Sequence, residues 1–424
     1  MIKKSHICLW ITALCVAMLS CQPVVVEEPI CTIGFNINLP IGVDTAHSVA
    51  IQKISFVFND LNMGKKHTYS PAVESMEDST HIVSYVNAPA GYYDIEASID
   101  IVMDSSMVRT RAYLKNVVLS AQTIDTAPPV LAMAAHVVQE GSSDFIFAEI
   151  FSAGTQTPQG KNYIGDSYFV LYNNTEHVLY ADGVVLLESK LKNSQKFGNL
   201  TPYFISDYFG ADAIYRIPGN GTEHPVEPGG TILLVDNAQD HRQASPQSFD
   251  LRGADFEWYD QSTNASVTDI DNPDVPNLEK VYCYTLTIWL PNRQGNTSFA
   301  LGRMPAGLTD SAYLADYRCT YDYLLITNAG TFNMSNTCFL FPNEWILDCV
   351  NTCPHSAYQW LVTSPALDGG WTYIGEIGSD KARFGKSVRR RESMDNGRRV
   401  LQDSNNSTMD FLPAQEANPF YFRN

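Results

Sequence analysis

The chain has 424 residues, 45% of them hydrophobic and only 17% charged, so it carries enough apolar material for a large buried core. Its formal net charge is −18, which excludes nucleic acid as a general partner, because phosphate backbones are held by cationic faces. The length corresponds to two or three domains.

Lys3 and Lys4 precede a mostly apolar run from Ile7 to Leu19, and Ser20-Cys21 follows. A positive end, a short apolar core and a small residue before a cut site describe a secretory signal. The core is shorter than the roughly 20 apolar residues that a bilayer span requires. Met18-Leu19-Ser20-Cys21 resembles a bacterial lipobox, in which the chain is cut before the cysteine and its sulfur is diacylated. Residues 1–20 therefore read as a lipoprotein signal peptide and Cys21 as the lipidation site; the alternative is an ordinary signal with an incidental cysteine. Residues 21–30 read as a tether, in which Glu27-Glu28 resembles the acidic surface-export signals of Bacteroidota lipoproteins.

Removal of the signal takes Cys8 and Cys15 with it, and Cys21 is assigned to lipid, so six cysteines remain. An even number in an exported chain permits disulfides. Cys319, Cys338, Cys349 and Cys353 cluster in the sequence, and one or two bridges are expected among them, with the pairing open. A cysteine-rich zinc site prefers paired knuckles two residues apart. Cys349 and Cys353 are separated by three residues, so no metal is assigned there.

From Cys31 to about Ala135 the text reads as short strands, with clear alternation in Tyr93-Asp94-Ile95-Glu96-Ala97-Ser98-Ile99-Asp100-Ile101. Every second side chain there is apolar, so one face is buried and the other wet. Ala90-Gly91-Tyr92-Tyr93 resembles the strand-opening step of transthyretin-like and fibronectin-like modules. Roughly seven strands in about a hundred residues suit a small β-sandwich. The expected domain is 31–136, with 137–143 as a linker.

The region 144–424 opens on three apolar runs, Phe145–Phe151, Tyr168–Tyr172 and Val184–Leu187, separated by Gly, Asn and Asp. Runs of this length bounded by turn residues read as strands. Five segments resemble, in order, the strands of lamin-tail domains: Phe147–Ile150, Tyr168–Asn173, Val178–Leu186, Pro228–Leu234 and Ser298–Arg303. Val170 and Val184 depart from that pattern, standing where it has an acidic residue and a tryptophan. The resemblance implies an immunoglobulin-like sandwich serving mainly as an interaction module. The surplus length places insertions near Ser189–Thr222, Gln239–Leu278 and Met304–Tyr373, where binding residues tend to sit. With its end at Val400–Phe411, the whole pattern resembles an uncharacterised family of Bacteroidota lipoproteins. Its members are often encoded beside TonB-dependent transporters, which implies a part in nutrient or metal capture at the outer membrane.

Two charged stretches are candidates for partner or ligand contact. Asp255, Glu257, Asp260, Asp269, Asp271 and Asp274 fall in one insertion, and hard cations want clustered oxygen ligands. An EF-hand frame starting at Asp269 fails, with Pro273 and Asp274 at its fifth and sixth positions, and a solvated acidic loop is the plainer reading. Arg389, Arg390 and Arg391 belong to a run of eight basic residues between Lys381 and Arg399. They suit an anionic partner; the plainer reading is neutralisation of the protein's own carboxylates. Tyr321, Tyr323, Trp360 and other aromatics crowd the third insertion, where they serve as core or as platforms for planar or sugar ligands. Gly385-Lys386-Ser387 lacks the earlier glycine of a phosphate-binding loop, and neither an HExxH helix nor a GxSxG elbow occurs.

The expectation is an all-β chain of two Ig-like or fibronectin-like sandwiches, the second lamin-tail-like with long insertions. The expected role is a non-enzymatic outer-membrane lipoprotein, without cofactor, that works with a TonB-dependent transporter at the cell surface. A structural or adhesive surface-assembly protein is the alternative, and a hydrolase with a site assembled from distant carboxylates is the third reading.

Overall fold

The computed structural model describes residues 29–39, 49–63, 65–71, 75–78, 81–103, 106–120, 127–138, 144–327, 330–395 and 397–423. Cys21 and the signal before it lie outside these residues. The chain divides into two compact units, Met1–Ile99 with Tyr113–Ala135 and Asp100–Ala112 with His136–Asn424. Among the described residues no helix is long and apolar enough to cross a membrane.

The N-terminal strands are β1 (Ile30–Asn38), β2 (Val49–Asp60), β3 (Lys66–Tyr69), β4 (Ser75–Asp78), β5 (His81–Pro89), β6 (Gly91–Met103), β7 (Ser106–Leu119) and β8 (Val130–Val138). They form one sheet in the order β3-β2-β6-β7-β8-β1-β5-β4, with β1 and β8 parallel. The alternation read in β6 is realised: Tyr93, Ile95, Ala97, Ile99 and Ile101 are buried and their neighbours are not. In a flat sheet β1 and β2 would lie about 19 Å apart, four strand spacings. Instead the rings of Phe35 on β1 and Phe56 on β2 stack with centroids 4.5 Å apart. The sheet therefore curls over its own apolar face, and Phe58 and Tyr93 complete the aromatic centre at 5.5 Å.

The second unit is a sandwich. Its strands are β9 (Phe145–Phe151), β10 (Tyr168–Asn173), β11 (Leu179–Tyr180), β12 (Val184–Ser189), β13 (Gly198–Thr201), β14 (Tyr208–Arg216), β15 (Pro225–Val226), β16 (Thr231–Val235) and β17 (Phe256–Glu257). They continue as β18 (Glu279–Cys283), β19 (Ser298–Arg303), β20 (Arg318–Thr327), β21 (Gly330–Pro342), β22 (Ile346–Asn351), β23 (Lys386–Arg390), β24 (Glu392–Asp395), β25 (Arg398–Leu401) and β26 (Phe411–Glu416). One sheet runs β17-β16-β10-β9-β23-β26; the other runs β13-β20-β21-β14-β12-β19-β22, with β18 also on β14.

The three apolar runs become β9, β10 and β12, and each is buried on both faces. That is why they lack alternation: a strand sandwiched between two layers has no wet side. Phe169 and Leu171 of β10 face the core between the sheets, while Tyr168, Val170 and Tyr172 face a second cluster on the far side. Strand β9 changes phase midway, Phe147 and Ile150 both pointing to the central core, because a register shift against β10 inserts one extra residue. The central core is heavily aromatic. Trp289 stacks on Tyr215 at 4.8 Å, and Trp258 and Phe169 pack around it. The outer cluster of the first sheet is closed by Leu251 and Val275 and by Phe422 near the end of the chain. That of the second sheet is closed by helix α1 (Asp310–Asp316), through Tyr313. The fold is all-β and sandwich-type, as the sequence reads.

Candidate functional site

The acidic insertion is divided: Glu257 and Asp260 turn inward, while Asp271 and Asp274 are exposed as a solvated loop would have them. Glu257 is fully buried and accepts hydrogen bonds from the backbone N–H groups of Ala238 and Asn272, at 2.7 and 2.5 Å. Asp260, also buried, accepts from Trp289 N at 2.7 Å, the Tyr215 hydroxyl at 2.8 Å and Lys280 at 2.7 Å. Asp269 accepts from Asp260 N and from the Asn237 amide. Asp255 accepts from Leu233 N and pairs with Arg423. Desolvation raises the carboxyls of Asp255, Glu257 and Asp269 above their ordinary values, against these donors. Asp271 bonds the Asn277 amide, and Asp271 and Asp274 are exposed. The backbone N–H groups that are buried where the connection meets the sandwich need partners, and here carboxylates supply them.

The arginine run divides residue by residue. Arg390 is 2% exposed and donates to Asp348 at 2.6 Å, Asp403 at 3.1 Å and the Phe147 carbonyl at 2.7 Å, with its guanidinium over the Phe411 ring. Arg389 donates to the fully buried Glu149 at 2.8 Å and lies over Tyr421. Both are internal counter-charges, so of the three candidates only Arg391 is exposed.

All six described cysteines are unbridged in the structure. The four clustered in sequence do not meet as one group, since Cys319 and Cys338 share one packed cluster and Cys349 lies in another. Among the described residues, donor atoms of Asp182, Glu223 and His224 come within 4.8 Å of one another. The Asp182 carboxylate there accepts three backbone N–H groups of the 221–224 turn, and those bonds hold its pKa down despite desolvation. It is an anchor for the turn.

An open cleft of about 370 Å³ lies instead against the second sheet. Its floor is Glu188 and Lys190 at the end of β12 and Asp212 on β14; the β20–β21 hairpin and the loops at 195–197 and 284–297 form its walls. Lys190 Nζ sits 3.0 and 3.1 Å from the two oxygens of Asp212. Glu188 accepts from Trp289 Nε1 at 2.7 Å and from Asn292 N and Thr297 Oγ1 at 2.9 Å, tying the 284–297 loop to the sheet. Burial pushes its carboxyl up to about 7, with those three donors pulling the other way. The walls carry Tyr323, whose ring centroid is 4.1 Å from that of Phe197, Tyr321 at 5.8 Å from Tyr323, and the half-exposed Tyr284. Flat apolar faces beside a carboxylate, an ammonium and the amides of Asn292 and Asn336 form a surface with both stacking and hydrogen-bonding capacity.

Residues 227–418 match the family model DUF4876, described as a protein of unknown function. The chain carries a DUF4876 domain. That domain supplies the hairpin and the 284–297 loop of the cleft, while β12 and β14 precede it. A DUF4876 family protein from Bacteroides thetaiotaomicron, known from its crystal structure, is 18% identical; the likeness covers 92% of this chain and 97% of that one with a TM-score of 0.55, which establishes a shared fold. A candidate cell adhesion protein from Parabacteroides distasonis is 9% identical over 74% of this chain and 84% of its own, with a TM-score of 0.17. No curated protein matches this chain.

Tyr321 and Tyr323 are among the aromatics singled out in the sequence. Glu188, Lys190, Asp212, Phe197 and Tyr284 are not. Their one local signal is the charged pair Glu188 and Lys190 closing an otherwise apolar run, Val184–Leu187.

Proposed function

We propose that the protein is a non-enzymatic, lipid-anchored binding protein of the outer membrane whose cleft takes a polyhydroxylated, saccharide-like ligand. The cleft carries this reading. Ring faces such as Tyr323 and Tyr284 suit the C–H faces of a sugar, and the Lys190–Asp212 pair with Asn292 and Asn336 suits its hydroxyls. Its volume of about 370 Å³ falls within the range of small-molecule sites. The carboxylates of the cleft are engaged, Glu188 with three donors and Asp212 with Lys190, which favours holding a ligand over transforming it. Attachment through Cys21 rests on the lipobox-like sequence, and association with a TonB-dependent transporter rests on the resemblance to Bacteroidota lipoproteins.

The first test is an array of immobilised oligosaccharides probed with the purified chain. Binding to a defined glycan that Tyr323→Ala weakens supports the reading; no binding, or binding indifferent to Tyr323→Ala, sinks it. Affinity purification of the tagged lipoprotein from native outer membranes tests the partner. Stoichiometric recovery of a TonB-dependent transporter is expected, whereas recovery with fimbrial subunits points to the adhesive alternative.

A further inference from the structure

The β20–β21 hairpin places Cys319 directly opposite Cys338. Their rung belongs to a known class. Leu340 N donates to the Tyr317 carbonyl at 2.8 Å two rungs away, and the classes alternate with period two, so Cys319 and Cys338 form a hydrogen-bonded pair. Such pairs hold their Cα atoms about 5.5 Å apart, inside the range of about 4.4–6.8 Å that a disulfide spans. Both side chains enter the same packed cluster, at 7% and 1% exposure. No other described pair combines these features. Cys349 and Cys353 lie four residues apart along one extended segment, about 13 Å at strand rise and beyond bridging reach. Cys283 packs against the central core and Cys31 belongs to the N-terminal unit.

We infer that Cys319 and Cys338 are a modification site that closes to a disulfide when the chain folds in an oxidising compartment, the other described cysteines remaining thiols. The reaction is thiol–disulfide exchange with a protein disulfide or oxidised glutathione. One thiolate attacks the oxidant's disulfide and releases its thiol. The second thiolate then displaces the remaining half, so two protons and two electrons leave the pair and the oxidant is reduced to two thiols. Burial raises both thiols above the ordinary cysteine value, which disfavours the thiolate in the packed hairpin. Closure therefore belongs to folding, before the cluster is sealed. The bond matters for the cleft. Residues two apart share a face of a strand, so the next rungs on this face are Tyr321 opposite Asn336 and Tyr323 opposite Met334. The first three of these line the cleft, and a staple beneath them pins their register.

The test is peptide mapping of the full chain isolated from membranes without reductant, alkylated in denaturant and digested under non-reducing conditions. A peptide joining Cys319 to Cys338, with Cys283, Cys349 and Cys353 alkylated, is expected. Either one joined to another cysteine, or alkylation of both here and after oxidative refolding, overturns the inference. The same chain refolded in a glutathione redox buffer separates pairing from location: a joined peptide there and thiols in the membrane sample overturn the oxidising-compartment clause alone. A phosphine reductant is expected to lower the melting temperature of the native protein by a few degrees and to leave Cys319→Ala/Cys338→Ala unmoved.

Discussion

The insertion at 255–279 and the cleft at the end of β12 both concentrate charge, and they use it in opposite ways. In the insertion, carboxylates face inward: Glu257 and Asp260 are sealed in protein and their oxygens accept backbone and side-chain donors. In the cleft, Lys190 and Asp212 pair at the edge of open space, between aromatic walls. Charges of the first kind let long irregular segments cover a sandwich without leaving backbone groups unpaired. Charges of the second kind remain within reach of a ligand. The conspicuous run of like charge is thus partly internal, whereas the charged residues that close the apolar run of β12 line open space.

The sharpest break in that comparison comes from the arginine run. Arg390→Ala strands Asp348, Asp403 and Asp410 around a vacated centre, and removing one partner of a buried ion cluster costs about 3–5 kcal/mol. Arg391→Ala, next in sequence but exposed, is expected within about 0.5 kcal/mol of the parent. Chemical denaturation of both variants measures the contrast; equal effects contradict the division into internal and exposed arginines. The insertion gives the next largest effect. Glu257→Ala orphans the N–H groups of Ala238 and Asn272, and unsatisfied buried donors put the loss at about 2–3 kcal/mol. Asp274→Ala, on the exposed part of the same insertion, is expected to be near neutral.

These outcomes also mark how far the sequence could be read. The strands β9, β10 and β12 were legible because a short continuous apolar run closed by turn residues fits little besides a doubly buried strand. The alternation in β6 was legible for the same local reason. The inward turn of Glu257 and Asp260 was not, since an acidic side chain carries no local mark of the backbone donor it will meet; Ala238 and Trp289 lie 19 and 29 residues away. The cleft was least legible of all. Its residues span Glu188 to Asn336 and meet only because β21 and β12 both pair with β14. Tyr321 and Tyr323 stood out by type alone.

The cleft itself gives a smaller, more selective effect. Tyr323→Ala removes one aromatic face and its contact with Phe197. For a glycan identified on the array it is expected to weaken binding roughly tenfold, or about 1.4 kcal/mol. Because Tyr323 is only half-buried, the variant should melt near the parent. Loss of binding together with a large fall in melting temperature would assign Tyr323 to the scaffold instead.

The last effect is a pH slope, and it joins the two uses of charge in one residue. Glu188 anchors the 284–297 loop and also lines the cleft. Burial raises its carboxyl from 4.5 to about 7. Between those values the folded chain holds a proton that the unfolded chain has released, so stability falls as pH rises through that window and levels off above it. Asp368, raised by burial to about 6, contributes a fall in the lower part of the same window. Glu188→Gln is expected to make the decline in melting temperature between pH 5 and 7 shallower without abolishing it, because Asp368 remains. The glutamine amide also meets a donor, Trp289 Nε1 or Asn292 N, where the carboxylate accepted. That mismatch lowers stability by a similar amount at every pH, and the difference in slope between parent and variant isolates the titration. Parallel slopes would mean that Glu188 is ionised throughout the window, and that its three donors outweigh burial.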